Sequence, residues 1–559
     1  MSEKIRIFAL GGLDEDGKNC TIVDINGDMF VVDCGVRFPD RTMPGIDYII
    51  PNYDYLLENK DRIKAYFLTH GHDDQTGALA FFYEQCPAPI YGSKVTLTML
   101  QMFTRHVGRD PKMYDLHPVE PSCSFQLAGR KITFFHTAHN IADSSGIAIQ
   151  TSYGNIVFTG DYVVENAALP AYLHDMNMIA KLAEEPTLAL LSDSVFSDRA
   201  GYTAPHYKLT PLVEEIFKDA PGRIYVSVFS TNFYLIDEVV RLAVNSRKKI
   251  ICYDDETLDI IQTMQSCGQL NIPRQNYAPT DDILRLRDQD IVVLMSGFGS
   301  KLYSKIALLA SNDQEDQRYK LKTSDTVIVA SPANSNTEIE ATDAVDTLFR
   351  SGAHVREIKK KELVNMHASE EDLKMMASIL KPKYYIPVKG FYKDLLHNGL
   401  LALSMGINLS HNNIFVLQGN GISVIFDENG GRIFNENIPH GDLMIDGMGV
   451  GDIGANVIAD REKLSEGVVV LALTISKSTR TIVAGPDVQM RGFVFVRDGE
   501  MILRDVGKIF VATVRDFLES RYAYNIDEIK QNVYEKCLRC IRRQTGREPM
   551  ILPLIVEIP

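Results

Sequence analysis

The sequence has no stretch approaching the ~18–20 consecutive apolar residues that a membrane-spanning helix requires. A leader is not expected either. The opening "MSEKIRIFALGG" carries charge early, and its short apolar run reads as entry into a strand. Cysteine follows no framework spacing. Cys20, Cys34, Cys86, Cys123, Cys252, Cys267, Cys537 and Cys540 point instead to reduced thiols in a cytoplasmic protein. Positive charge is in deficit, with a net charge of −15. That argues against a surface coated for nucleic acid but allows a narrow, locally basic channel. Internal repeats and low-complexity tracts are absent. What remains is a chain of 559 residues, 45% hydrophobic and 23% charged, which is ordinary for a globular protein and too long for one core. Three to four domains are expected.

Residues 1–205 alternate strand-like runs with turn signals, among them "MFVVDCG", "KAYFLTHG", "KITFFHTAH", "NIVFTGD" and "LALLSDS". Residues 206–370 change to a strand–helix–strand rhythm ("RIYVSVFS", "KKIICYD", "DIVVLMSG", "DTVIVASP"), which predicts a parallel α/β domain. Three further strands, "KYYIPVKG", "IFVLQGNG" and "ISVIFDE", fall within 371–440. The glycine-rich "IDGMGVGDIGANV" lacks both GxGxxG and the Lys-Ser/Thr of a phosphate loop, so 441–458 reads as a linker with tight turns. Residues 459–559 form a last α/β unit, with "GVVVLALTIS", "TIVAGPDV", "GFVFVRDG" and "MILPLIVEIP" as strands around two helices. In the second helix Asn525 is the N-cap, Glu528 follows three residues on, and Gly546 is the stop. Its apolar stripe, Ile529, Val533, Cys537 and Ile541, makes "CLRC" at 537–540 a pair of core thiols, not a zinc site. The clusters "KKK" and "RCIRRQTGR" read as solvated faces.

The chemistry concentrates in "FLTHGHDDQTGAL". His70 and His72, one residue apart in a loop, can turn both imidazoles to one side, and Asp74 can reach the same cavity. Zinc and manganese both accept such N and O donors. A chance match to this pattern is expected only about 0.04 times in a chain of this composition. His139, Asp161 (after a glycine that allows close approach) and Asp33 each follow a strand-like run. Each alone is commonly a packed histidine or a turn cap. All in this order point to one metal site.

Together with "GGLDEDGKN", "GIDYIIPNYDYLLENKDRIKAYFLTHGH", "GDLMIDGMGVGDIG" and "REPMILPLIVEIP", these motifs resemble the bacterial ribonuclease J family over essentially the whole chain. Within it the chain is most similar to the paralogues that accompany a more active enzyme. The resemblance implies a metallo-β-lactamase αββα sandwich (1–205 and 371–440), an inserted β-CASP α/β domain (206–370) and a C-terminal α/β dimerisation domain (459–559). It implies a first metal site of His70, His72, His139 and the bridging Asp161, all present. A second site would use Asp74, but Gln75 and Lys389 stand where the family has histidines. An amide oxygen is a poor substitute for imidazole, and an ammonium has no lone pair to give. One zinc or manganese ion is therefore expected, with the second site weak or absent, and Lys389 is expected to sit against Asp74 and Asp161.

By the same resemblance Asp74 would orient or deprotonate the attacking water, with Asp193 and His367 as catalytic partners. Ser230, Thr231, Asn232, Asn365 and His367 would hold RNA phosphate. The implied function is attenuated 5′-to-3′ exoribonuclease activity on 5′-monophosphorylated RNA, with endonucleolytic cuts as a second mode, in RNA maturation and decay. The rival expectation is an inactive RNA-binding subunit that scaffolds an active paralogue, as homodimer or mixed dimer. A small-molecule metallohydrolase fits the first motif alone and leaves the later domains unexplained.

Overall fold

Strands with apolar residues at alternate positions must bury one face, and two sheets here do so against each other. The computed structural model describes residues 2–40, 43–165, 169–311, 316–334, 337–419, 421–447, 449–451, 455–492, 496–520 and 524–559. They fall into two compact units, Met1–Phe38 with Tyr48–Leu443, and Pro39–Asp47 with Met444–Pro559.

In the first unit an eight-stranded sheet runs in the order Gly430–Asn435, Ile422–Asp427, Ile5–Gly11, Cys20–Ile25, Asp28–Val32, Ile63–Phe67, Ile90–Gly92 and Leu116–Pro118. A six-stranded sheet runs Tyr384–Val388, Thr187–Asp193, Gly154–Phe158, Ser145–Thr151, Arg130–His136 and Cys123–Leu127. Ile5, Ile7, Val23, Phe30 and Phe67 of one meet Phe134, Ile147, Ile149, Ile156 and Ile386 of the other in a shared core. The far face of the smaller sheet is covered by helix Glu370–Leu380, whose Leu373, Met376 and Ala377 pack with Phe135, Ala148 and Leu190. This is the expected αββα sandwich.

Between Thr187–Asp193 and Tyr384–Val388, which pair in parallel, the chain leaves the sandwich and builds a third sheet. Its strands are all parallel, in the order Lys249–Cys252, Ile291–Gly297, Ile224–Phe229, Thr326–Val329, His354–Glu357. Such a sheet must be covered on both faces. Ile224, Val226 and Val228 pack with helix Phe233–Asn245 on one side. Tyr225, Val293 and Met295 pack with helices Gly299–Ala310 and Glu338–Ser351 on the other.

The second unit is a three-stranded sheet, Thr481–Arg491, Val468–Ser476 and Met550–Ile558, packed on helices Val496–Glu519 and Ile526–Thr545. The stripe Ile529, Val533, Cys537, Ile541 is buried, as its period requires, against Ile502, Val506, Phe510 and Val514. Asn525 caps the helix by accepting from the Asp527 amide, and Gly546 ends it with φ 73°. Phe510→Ala is expected to destabilise this unit by about 3–5 kcal/mol, the usual cost of emptying a buried aromatic site. Denaturant titration with a probe in this unit checks it.

Four expectations are corrected. Of "GFVFVRDG", expected as a strand, 493–495 lie outside the described residues, and from Val496 the chain is helical. The four-residue spacing of Ile502, Val506, Phe510, Val514 and Leu518 outweighs the local β-propensity of Phe and Val. "IFVLQGNG" turns Phe415 and Leu417 into the core but joins a sheet only through a bridge from Ile414 to Tyr385. Of "CLRC", Cys537 is a core thiol, whereas Cys540 is half-buried, because it stands one residue before Ile541 and so falls beside the stripe. The glycine-rich segment 441–458 carries strands Asp442–Asp446 and Gly449–Val450 and the start of helix Ala455–Ser465, while 448 and 452–454 lie outside the described residues. No helix among the described residues is long and apolar enough to cross a membrane.

Candidate metal centre

The loops that follow five strands of the sandwich converge on one point. They bring Asp33, the run Thr69–Gln75, His139, Asp161 and Lys389 together, with Asp193 at the end of its own strand. Two glycines make the convergence sterically feasible. A Cβ on Gly35 would lie 1.7 Å from the Asp74 carbonyl, where the 34–36 backbone is bonded to Asp73 and Gln75. Gly160 takes φ +60° beside Thr69 and delivers Asp161 to the centre.

His70, His72 and His139 form a triangle of rings with centroids 4.8, 4.8 and 4.9 Å apart. Their tautomers follow from their partners, because a carbonyl only accepts. His139 Nδ1 lies 2.7 Å from the Met366 carbonyl and must carry the proton, which leaves Nε2 bare. His72 Nε2 faces the Thr231 carbonyl at 3.4 Å, which leaves Nδ1 bare. Thr69 Oγ1 sits 2.9 Å from Asp33 Oδ2 and 3.0 Å from His70 Nδ1. It donates to the carboxylate and accepts from the ring, so His70 Nε2 is bare as well. That atom is buried without a hydrogen-bond partner. Burial pushes Asp33 up to about 7, while the Thr69 donors favour its charged form.

The bare nitrogens face one another and Asp161. His139 Nε2 and His72 Nδ1 are 3.4 Å apart, and Asp161 Oδ2 lies 3.4 Å from His70 Nε2 and 3.6 Å from His139 Nε2. Burial pushes His72 down to about 3 and His139 well below its ordinary value. Neutral imidazoles with converging lone pairs and one carboxylate are the donor set of a divalent cation. The residues present fit one such ion.

Beside this donor set, the oxygens of Asp74 and Asp161 already have a cationic partner. Lys389 Nζ is 2.9 Å from Asp74 Oδ2 and in direct contact with Asp161 Oδ2, the oxygens a second ion would need. With its amide turned so that donors meet acceptors, Gln75 accepts from Lys389 Nζ (2.8 Å) and Asn19 Nδ2 (3.2 Å) and donates to Asp33 Oδ2 (3.1 Å). Burial would lower the Lys389 amine, but Asp161 and Asp74 raise it above its ordinary value, so it is charged. Burial would likewise raise both carboxyls. The ammonium overrides it, holding Asp161 well below the usual carboxylate range and Asp74 below its ordinary value. Lys389 thus sits where the sequence places it, against both carboxylates.

His367 enters from the other side, its Nδ1 2.9 Å from Asp193 Oδ2 and 3.9 Å from Asp161 Oδ2. Burial opposes its charge, but Asp193 and then Asp161 raise it above the ordinary histidine value. Ser230, Thr231 and Asn232 lie between a strand end and helix Phe233–Asn245, where Asn232 caps by accepting from the Leu235 amide at 3.1 Å. The Ser230 hydroxyl is buried without a partner. Asn365 is exposed, and its carbonyl accepts from the His367 amide at 3.0 Å. Three contributors escaped the sequence reading. Asn19 bonds the Asp74 carbonyl (3.0 Å), Thr69 holds His70, and Asn398 Nδ2 holds the Asp193 carbonyl (3.0 Å). Asn19 ends the quoted "GGLDEDGKN"; Asn398, in a helix, carries no local signal.

Comparison with known proteins agrees with this architecture. Residues 13–225 match the metallo-beta-lactamase superfamily, 221–348 the beta-CASP domain of ribonuclease J, and 456–558 the ribonuclease J C-terminal domain. Proteins named "Ribonuclease J 2" from Staphylococcus epidermidis and Staphylococcus aureus are 32% and 33% identical, each over 100% of this chain and 99% of the relative. A crystal structure of a protein of unknown function from Enterococcus faecalis V583 aligns with TM-score 0.50 at 13% identity, covering 76% of this chain and 100% of that one, a likeness of fold alone. With the sandwich, the insertion and the C-terminal unit each matched in order, the chain belongs to the ribonuclease J family.

Proposed function

We propose that the chain is an RNA-processing hydrolase that cuts phosphodiester bonds with one divalent ion, zinc or manganese, and therefore slowly. The carrying observation is the set of bare nitrogens on His70, His72 and His139 facing Asp161, beside a site where an ammonium stands for a second ion. An ion bound there polarises a phosphoryl oxygen and lowers the pKa of the attacking water. The protein's own groups do the rest. Asp74 orients the water and takes its proton, Lys389 keeps that carboxylate ionised, and the charged His367, fixed by Asp193, faces the phosphate. Ser230, Thr231, Asn232 and Asn365 receive the 5′ monophosphate, which sets a 5′-to-3′ direction with endonucleolytic cuts as a second mode. The protein works in the cytoplasm, as a dimer through its C-terminal unit with itself or with a paralogue.

The same ammonium favours a second reading, an RNA-binding subunit that has lost the chemistry and supports an active paralogue. One assay separates them: degradation of a 5′-monophosphorylated, end-labelled RNA with Mn²⁺ by the wild type, His72→Ala and Asp161→Ala. Slow turnover abolished by both substitutions is the expected result. RNA binding with no turnover above the variants would leave the scaffolding role.

A further inference from the structure

The proton positions on His72 and His139 are set from outside the sandwich. The acceptor for His72 is the Thr231 carbonyl, just past the first strand of the inserted sheet. The acceptor for His139 is the Met366 carbonyl, on the segment that returns from the last strand of that sheet. If these carbonyls withdraw, each ring is free to place its proton on the inner nitrogen and lose its lone pair. Conversely, without a cation the bare nitrogens of His72 and His139 face each other at 3.4 Å with no proton between them. That repulsion works against the closed seam, and an ion relieves it.

We propose that ion binding and closure of the inserted domain on the sandwich are one linked equilibrium, with the Thr231 and Met366 carbonyls as the coupling elements. The inference rests on the one-ion reading above and adds what the ion does to the protein. Linkage is reciprocal: whatever opens the seam weakens the ion, and the ion holds the seam shut. An RNA strand entering between the two domains therefore meets a gate whose stiffness depends on metal occupancy. The return segment has its own anchor. Thr203, fully buried, donates from Oγ1 to the His367 carbonyl at 2.5 Å and lies 2.6 Å from Ser369 Oγ. Thr203 is thus a positioning residue for Met366, and through it for His139, without touching the ion.

The test uses the full-length chain stripped with chelator and then supplied with Mn²⁺. Hydrogen exchange is followed in peptides spanning 224–235 and 361–372, and Mn²⁺ affinity is measured by calorimetry. Added ion is expected to slow exchange in both peptides at least about fivefold, the lower end of ordinary coupling. Asp161→Ala is expected to abolish that slowing. Thr203→Val is expected to weaken Mn²⁺ about tenfold, the scale on which outer partners of metal-bound histidines act. Thr326→Val, a buried threonine paired with Ile224 at the opposite end of the inserted sheet from Thr231, is expected to leave affinity unchanged. Mn²⁺ bound by the wild type with exchange unaltered in both peptides overturns the linkage, even if Thr203→Val fails to fold. Equal loss of affinity in both threonine variants overturns it too. No Mn²⁺ bound by the wild type sinks the one-ion reading itself, and the linkage with it.

Discussion

Changing Gln75 and Lys389 together to histidine is expected to raise the ion content of the purified chain from one to two. Hydrolysis of 5′-monophosphorylated RNA should speed up about a hundredfold, the scale on which one well-placed electrostatic stabiliser matters. Asp74 and Asp161 already offer their oxygens at that place, with Lys389 Nζ lying between them. What excludes the ion is the ammonium, since a unit charge 4 Å from a dication is repelled by roughly 8 kcal/mol at an effective dielectric of 20. Removing that charge while adding two imidazoles supplies the missing donors. Native mass spectrometry gives the stoichiometry independently of the rate. A double variant that still holds one ion would show that the second site was lost through more than these two side chains.

Replacing Lys389 by methionine, which keeps the bulk and deletes the charge, carries the largest expected stability effect. The buried Asp161 and the half-buried Asp74 would then face each other without a counter-charge, and breaking a buried ion pair typically costs about 3–5 kcal/mol. The loss should be full in EDTA. It should be partly recovered in Mn²⁺, where an ion taking the place of the ammonium, bound by the variant alone, returns about 2.7 kcal/mol at a hundred times its Kd. Urea titrations of wild type and variant in both buffers measure it. Equal stability of the two proteins in EDTA would mean that the lysine is held by the fold and does not hold the carboxylates apart.

Most of the centre could be read from residue types. His70, His72, His139 and Asp161 are side chains whose spacing after strand-like runs foretells their meeting, and the two missing histidines foretell the place of Lys389. The parallel insertion was legible for a similar reason, because period-2 and period-3.6 patterns survive packing, whereas the αββα sandwich followed from the family resemblance. What escaped is what the main chain does. The carbonyls of Thr231 and Met366 leave no signature, because any residue at those positions brings the same acceptor. Asn19 and Asn398 matter through bonds to backbone atoms distant in sequence, which no local pattern encodes. "GFVFVRDG" misled because four apolar letters satisfy both periods, and only the longer run to Leu518 decides for the helix.

Gln75 and Lys389 are bonded to each other, and that bond has an evolutionary cost. Histidine at position 75 alone would set an imidazole beside an ammonium that still occupies the carboxylates. Histidine at 389 alone cannot be reached from a lysine codon by a single-base change, and the intermediates, asparagine or glutamine, strip the charge from Asp74 and Asp161 with no second ion ready to replace it. Each route back passes through a chain worse than the present one. The pair therefore acts as a ratchet, and descendants of this sequence will tend to keep one ion and refine what one ion can do.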